Sequence, residues 1–197
     1  MKPAIAPQSA LRLACALAGL WLAACASLPP IPPPARDRLH DFALEARFAL
    51  RVSHDGAPKT AGGRLSWERK ASGNRILIAN PLGIGLAEID ASPALSRLRT
   101  ADGGERESAD ADELMEAATG ERLPVLRLPE WLLGRGDAES LIERDDRQRP
   151  TRLIEAGWQV DYAYDDDSAD ALPARVTLRR GDAIELRLRI ETWREAP

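Results

Sequence analysis

Residues 42–52 read Phe42-Ala43-Leu44-Glu45-Ala46-Arg47-Phe48-Ala49-Leu50-Arg51-Val52. Every even position is apolar, and Glu45, Arg47 and Arg51 stand at odd ones. Alternation sustained over eleven residues puts one face of a long strand against a core and the other in water. Downstream the same period recurs. Gly63, Leu65 and Trp67 alternate with Arg64, Ser66 and Glu68, and Ser72-Gly73-Asn74 turns the chain into Arg75–Ala79. A loop, Asn80-Pro81-Leu82-Gly83-Ile84-Gly85, leads to Leu86–Asp90, and a strand through Ser96, Leu98 and Thr100 ends at Asp102-Gly103-Gly104.

The period then changes. Asp110 with Glu113 three residues on is a capping-box variant, followed by Leu114, Met115, Ala117 and Ala118 at helical spacing and by Gly120. Pro124 opens a second expected helix through Trp131-Leu132-Leu133 to Gly134, kinked or restarted at Pro129. Strands resume near Leu141-Ile142, Leu153-Ile154 and Trp158–Tyr164. The chain closes on a hairpin, Arg175–Arg180, Gly181-Asp182 and Ile184–Ile190. The fold expected is mainly β with helical inserts: a single antiparallel sheet of about eleven strands, curved into an unclosed barrel with a helical lid over an apolar cavity. Phe48, Leu50, Leu65, Trp67, Leu77, Leu186 and Leu188 are the expected wall, and Leu114, Met115, Trp131 and Leu132 the expected lid. Pattern alone also fits, and favours, the same residues packed as a solid core.

Composition narrows the classes. The 197 residues (21.5 kDa) are 44% hydrophobic and 29% charged, with 27 basic against 31 acidic side chains, a net charge of −4. That is globular composition without a nucleic-acid footprint. Two histidines and two cysteines exclude a disulfide framework and leave little for a histidine metal site or a catalytic triad.

Lys2 and Arg12 precede twelve apolar or small residues, Leu13–Ala24, a run too short to span a bilayer and suited to a signal peptide. It ends in Leu22-Ala23-Ala24-Cys25, which resembles a bacterial lipobox. Cleavage before Cys25 and acylation of its sulfur and amino group follow from that resemblance. Residues 1–24 are then the signal, 25–37 a lipidated tether and 38–197 the folded domain. The mature chain has 25 basic and 31 acidic residues, net −6, with Cys25 its only cysteine. Ala26-Ser27 resembles an outer-membrane sorting address. Five prolines in Leu28–Pro34 favour an extended tether, so that residues 26–37 reach roughly 35–40 Å.

Several stretches together resemble one family. They are Trp67 ending its strand, Asn80-Pro81-Leu82-Gly83, Leu123-Pro124 leading to Trp131-Leu132-Leu133-Gly134, Gly157–Tyr162, Leu172-Pro173 and the terminal Trp193. Their order and spacing are similar to those of the LolB family, outer-membrane receptors of the lipoprotein-localisation pathway. Ala46-Arg47 replaces the family's frequent Gly-Arg, and Pro129 is not expected in the second helix. The resemblance implies a monomeric, non-enzymatic receptor at the periplasmic side of the outer membrane. It implies acceptance of acyl chains from a soluble periplasmic carrier of similar fold and their release into the inner leaflet. It further implies that Leu82 is exposed on a protruding loop that serves release. No cofactor is implied beyond the diacylglyceryl and N-acyl groups on Cys25.

The physics of the cargo agrees. Three acyl chains hold about 45 methylenes, and exposing them to water costs tens of kcal/mol at about 0.8 kcal/mol each. Transfer must therefore run from cavity to cavity, and no phosphate-binding loop is present to drive it. Other constellations favour bland readings: Asp165-Asp166-Asp167 with Asp170 a solvated loop, Ser53-His54-Asp55 a turn, and Arg179, Arg180, Arg187 and Arg189 a solvated outer face. A lipid-anchored scaffold with a solid core is the alternative function. A tethered hydrolase lacks converging catalytic groups.

Overall fold

The computed structural model describes residues 36–53 and 57–196. After a 3-10 turn at Arg36–Arg38 come six strands: β1 (Phe42–Val52), β2 (Lys59–Lys70), β3 (Gly73–Ala79), β4 (Gly85–Ala91), β5 (Ser96–Thr100) and β6 (Glu105–Ser108). Two helices follow, α1 (Ala111–Thr119) and α2 (Leu128–Leu132). The chain ends with β7 (Leu141–Arg144), β8 (Pro150–Glu155), β9 (Trp158–Ala163), β10 (Arg175–Arg180) and β11 (Ile184–Glu195). All eleven strands form one antiparallel sheet in the order β6-β5-β4-β3-β2-β1-β11-β10-β9-β8-β7. The sheet does not close, and β6 and β7 remain its edges.

The first and last strands therefore meet in the middle. Phe48 lies opposite Leu188, Leu50 opposite Leu186 and Val52 opposite Ile184, so the apolar rows of both strands share the inner face. The register shifts between Glu45 and Ala46, where β11 carries Glu191 as an extra residue. A bulge beside Ala46 thus bends the pair without the family's glycine.

The helical segment between the edge strands covers the inner face. Asp110 caps α1, accepting from the Asp112 N–H at 3.0 Å and the Glu113 N–H at 3.3 Å, and Gly120 closes the helix at φ +83°. The second helix does not run from Pro124 but restarts at Pro129, one of the two expected effects of that proline. Pro124–Arg127 form a turn, Arg127 N–H donating to the Pro124 carbonyl at 3.0 Å, and the helix starts only at Leu128. Pro129 consequently lies in the first helical turn, where its missing N–H has no intrahelical partner to lose, and no kink results.

The folded part begins earlier than residue 38. Arg36 is buried, and the Arg135 guanidinium donates to the Arg36 carbonyl at 2.9 Å and the Leu39 carbonyl at 2.8 Å. Arg36 and Asp37 belong to the domain rather than to the tether. The expected signal sequence 1–24, Cys25 and the remainder of the expected tether lie outside the described residues, as do His54 and Asp55.

Close approach constrains one position near the loop after β3. A Cβ on Gly63 would stand 2.1 Å from the Ala79 carbonyl oxygen, so β2 and β3 meet there only because residue 63 has no side chain. Gly63→Ala should part the strands and cost about 1–3 kcal/mol. Thermal denaturation checks this, with Gly62→Ala, whose Cβ would come no nearer than 3.2 Å, as the milder comparison.

Candidate functional site: an apolar cavity and a protruding loop

The inner face encloses a cavity walled by Phe48 and Leu50 from β1, Leu65 and Trp67 from β2, Ile76 and Ile78 from β3, and Leu186 and Leu188 from β11. Met115 and Thr119 of α1, with Leu123 and Leu128, roof it. No charged side chain lines it. The one polar lining group, the Thr119 hydroxyl, donates to the Met115 carbonyl at 2.8 Å and accepts from the Glu121 N–H at 3.2 Å. The free volume is about 40 Å³, room for roughly one or two water molecules.

Leu77, expected in the wall, is a correction. It is 41% exposed on the opposite, outer face. Pairing fixes the parity: Trp67 faces Ile76 and Leu65 faces Ile78, so the even positions of β3 point inward. The run Ile76-Leu77-Ile78 is apolar on both faces, and alternation could not decide its sides. Among the expected lid residues, Met115 borders the cavity. Leu114, Trp131 and Leu132 are buried but do not reach it, Trp131 packing instead on Trp158 at 6.1 Å between ring centroids. Thr119 lies one helical turn after Met115 and was legible from that spacing. Leu128, three and four residues before Trp131 and Leu132, is legible from helical spacing in the same way, whereas Leu123 lies outside the helices and carries no such pattern.

The lid rests on both arms of the sheet. Helix α1 packs against β4, β5 and β6. The α2 segment is tied to the other arm: Arg127 grips Glu155 of β8, with one bond at 2.8 Å, and the Tyr162 hydroxyl of β9 donates to the Trp131 carbonyl at 2.6 Å. Burial pushes the Tyr162 hydroxyl far above its ordinary range, so it remains a neutral donor. Arg69 at the end of β2 pairs with Glu130 at 2.6 Å.

The loop after β3 is organised by one side chain. Asn80 Oδ1 accepts from the Leu82 N–H at 2.9 Å and the Ile84 N–H at 3.0 Å, and Gly83 supplies φ +86°. With its backbone groups so bonded, the loop holds Leu82 outward at 87% exposure, with Ile84 at 61% and Leu86 at 47% beside it. Apolar residues at a turn usually fold back on the core; these do not.

The remaining polar clusters are held in local contacts. Asp165 pairs with Arg175 and Arg189, and Asp167 with Arg147. Among the described residues no group of His, Cys, Asp and Glu is arranged to hold a metal ion, and no helix is long and apolar enough to cross a membrane.

The Arg127–Glu155 pair gives the lid anchorage a pH dependence. Arg127 holds the Glu155 carboxyl below the ordinary carboxylate range, against burial, with the Asp137 N–H adding to the effect. A depressed folded-state pKa stabilises fully above the unfolded value, and the contribution is lost as pH falls through that value toward the depressed one. Melting temperature should thus decline with acid less steeply in Glu155→Gln than in the parent protein. Arg127→Ala strands a carboxylate that is 6% exposed and should cost about 2–4 kcal/mol, discounted because Arg127 itself is 33% exposed.

Comparison with known proteins agrees with this geometry. A LolA-superfamily protein from Nitrosomonas europaea shares the fold at TM-score 0.50 and 12% identity, with 83% of this chain and 91% of that one covered. The outer-membrane lipoprotein LolB of Dechloromonas aromatica is 53% identical over 188 residues, covering 95% of this chain and 99% of its own. That of Azoarcus sp. is 35% identical over 92% of this chain and 93% of its own. The family model described as outer membrane lipoprotein LolB matches residues 40–193, and the chain belongs to this family of outer-membrane lipoproteins.

Proposed function

We propose that this protein accepts other lipoproteins from a soluble periplasmic carrier of similar fold, shelters their acyl chains beneath its lid and delivers them into the outer membrane. A signal peptide, 1–24, is removed. Cys25 carries the diacylglyceryl and N-acyl anchor, and the proline-rich tether holds a monomeric domain at the inner leaflet. The observation that carries the reading is the pairing of an uncharged, predominantly apolar, lidded cavity with a hydrogen-bonded loop that displays Leu82 to solvent. The cavity supports a binder of aliphatic chains and the loop supports contact with lipid. Nothing in the site supports catalysis.

The interior of about 40 Å³ is too small for an acyl chain, so cargo entry requires the roof to move. Met115 and Thr119 ride on the β4–β6 arm and Leu128 mainly on the other, so parting of the arms, with loss of the Arg69–Glu130 pair, enlarges the cavity without breaking the helices. The nearly filled interior also favours a second reading, a lipid-anchored scaffold that takes no ligand.

A fluorescent fatty-acid titration separates the two. The parent protein should bind the probe, and Met115→Asp should weaken binding roughly tenfold or more, because the carboxylate enters an apolar cavity without a partner. No binding by the parent protein would leave the scaffold.

Delivery is tested at Leu82. Leu82→Glu should leave the melting temperature unchanged, since the side chain is 87% exposed, and leave acceptance from a loaded carrier nearly intact. Transfer from the loaded protein into liposomes should slow markedly, because a carboxylate at the tip keeps its hydration and is repelled by anionic headgroups. Failure of acceptance in this variant would remove the division of labour between cavity and loop.

A further inference from the structure

The outer face of the sheet is charged in two different ways. On the β3–β6 arm one cross-strand row reads Glu68, Arg75, Asp90, Arg97, Glu107, alternating in sign from strand to strand. Arg75 meets Glu88 at 2.6 Å, Arg97 meets Glu107 at 2.5 Å, and Arg99 meets Glu88 and Asp90 at 3.1 Å each. Near the centre of the sheet another row reads Arg64, Arg47, Arg189, Arg175 on β2, β1, β11 and β10. Four arginines stand directly opposite one another across four neighbouring strands, all exposed, spanning roughly 14 Å at the usual strand spacing. Opposed like charges destabilise a sheet.

Among the described residues two carboxylates answer them. Glu191 pairs with Arg47 at 2.7 Å, and Asp165 is shared by Arg175 at 2.8 Å and Arg189 at 2.9 Å. Arg64 has no acidic partner among the described residues. Neither has Arg51, which lies opposite Glu185, whose carboxylate is taken by Arg179 and Arg187. A groove of about 300 Å³ runs between Arg47, Arg175, Thr177, Arg187 and Arg189.

We propose that this arginine row is a docking surface for the phosphates of anionic phospholipid headgroups. Its position selects that occupant. Arg64 lies opposite Ala79, the residue before Asn80, so the row starts at the base of the Leu82 loop. Leu82, Ile84 and Leu86 are exposed on the same flank. Apolar side chains beside uncompensated cations match a surface that is anionic outside and hydrocarbon within. An acidic protein would satisfy the arginines and leave the apolar tip without a partner. The proposal rests on the reading that the Leu82 end meets the bilayer, and it adds that the domain lies with its outer face against the headgroups.

The test is flotation of the mature chain, residues 25–197 carrying Cys25→Ala, so that neither the apolar run Leu13–Ala24 nor an acyl anchor contributes, with vesicles of phosphatidylcholine with or without phosphatidylglycerol. Binding should require phosphatidylglycerol and weaken as salt rises. Arg64→Gln with Arg189→Gln should lower it roughly thirtyfold, about fivefold for each cation removed. Arg97→Gln with Arg99→Gln, on the neutralised arm, should not change it. The Arg64→Gln, Arg189→Gln protein should melt no lower than its parent, since it loses three opposed like-charge contacts against one exposed pair with Asp165, which Arg175 still holds. The proposal is overturned by absent binding, by binding indifferent to phosphatidylglycerol or by unchanged binding in that variant. Retained vesicle binding with lost acceptance from a loaded carrier would assign the row to an acidic protein instead. Because no acyl probe or cargo enters the assay, phosphatidylglycerol-dependent binding by a protein that holds no fatty acid would sink the proposed function and leave the docking surface.

Discussion

Pairing of β1 with β11 joins the two halves of the chain, and the cavity exists because of it. Every other strand contact in the sheet lies between neighbours in sequence. Two arms, β2–β6 and β10–β7, could each form as a meander, but each alone would expose one apolar face. Matching Phe48 to Leu188 and Leu50 to Leu186 merges those faces into a single concave one. The merged sheet ends on short strands, Glu105–Ser108 and Leu141–Arg144, carrying Glu105, Arg106, Glu107, Glu143 and Arg144. Such edges are poor templates for further pairing. The chain between them must cross the open side, and this makes a lid of whatever it contains.

That crossing explains how the lid is fastened. Helix α1 follows β6 directly and packs on its arm, while the α2 segment precedes β7 and is held mainly by Glu155, Trp158 and Tyr162 of the other, with the Arg69–Glu130 pair as its tie back to β2. Residues 120–127 between the helices have no regular helix of their own. A lid divided in this way couples the width of the cavity to the separation of the arms. Relative movement of the arms would strain the central strands far less than withdrawal of a rigid lid would strain the buried Trp131, Leu132 and Val125.

Much of this was legible before any coordinates. Alternation in Phe42–Val52 and Ile184–Ile190 fixed which faces are inner, because the outer positions are charged. Asn80-Pro81-Leu82-Gly83 marked the loop, and Asp110 to Gly120 bounded α1, because caps and turns are local chemistry. The failures share a cause. At Ile76-Leu77-Ile78 both faces are apolar, so side was decided by β2 rather than by β3 itself. The sequence leaves the start of α2 open between Pro124 and a restart at Pro129, because both prolines suit a first helical turn, and the structure takes the second. The Arg127–Glu155 grip joins residues 28 apart, and Arg135 reaches Arg36 across 99, separations at which a lone sequence carries no pairing signal. Arg64, Arg47, Arg189 and Arg175 look like ordinary exposed strand positions until register stacks them.

The small volume of the empty cavity bears on direction. On the proposed function, Leu82 gains at most about 1.5–3 kcal/mol by entering lipid, a small fraction of what cargo chains gain there. The tip can aim the mouth but cannot drive transfer. A rigid, preformed cavity would be costly when vacant, since its walls would lose contacts on every side. Here Met115, Leu123 and Leu128 close against Trp67, Ile76 and Leu186 and leave only about 40 Å³. The interior is well packed, so on the proposed function cargo must displace lid contacts before it gains its own. On that function, held chains are bound more weakly than area alone implies, and each departure into the bilayer is accompanied by recovery of the lid's packing. An interior so closely filled would then favour release toward lipid without any bound nucleotide.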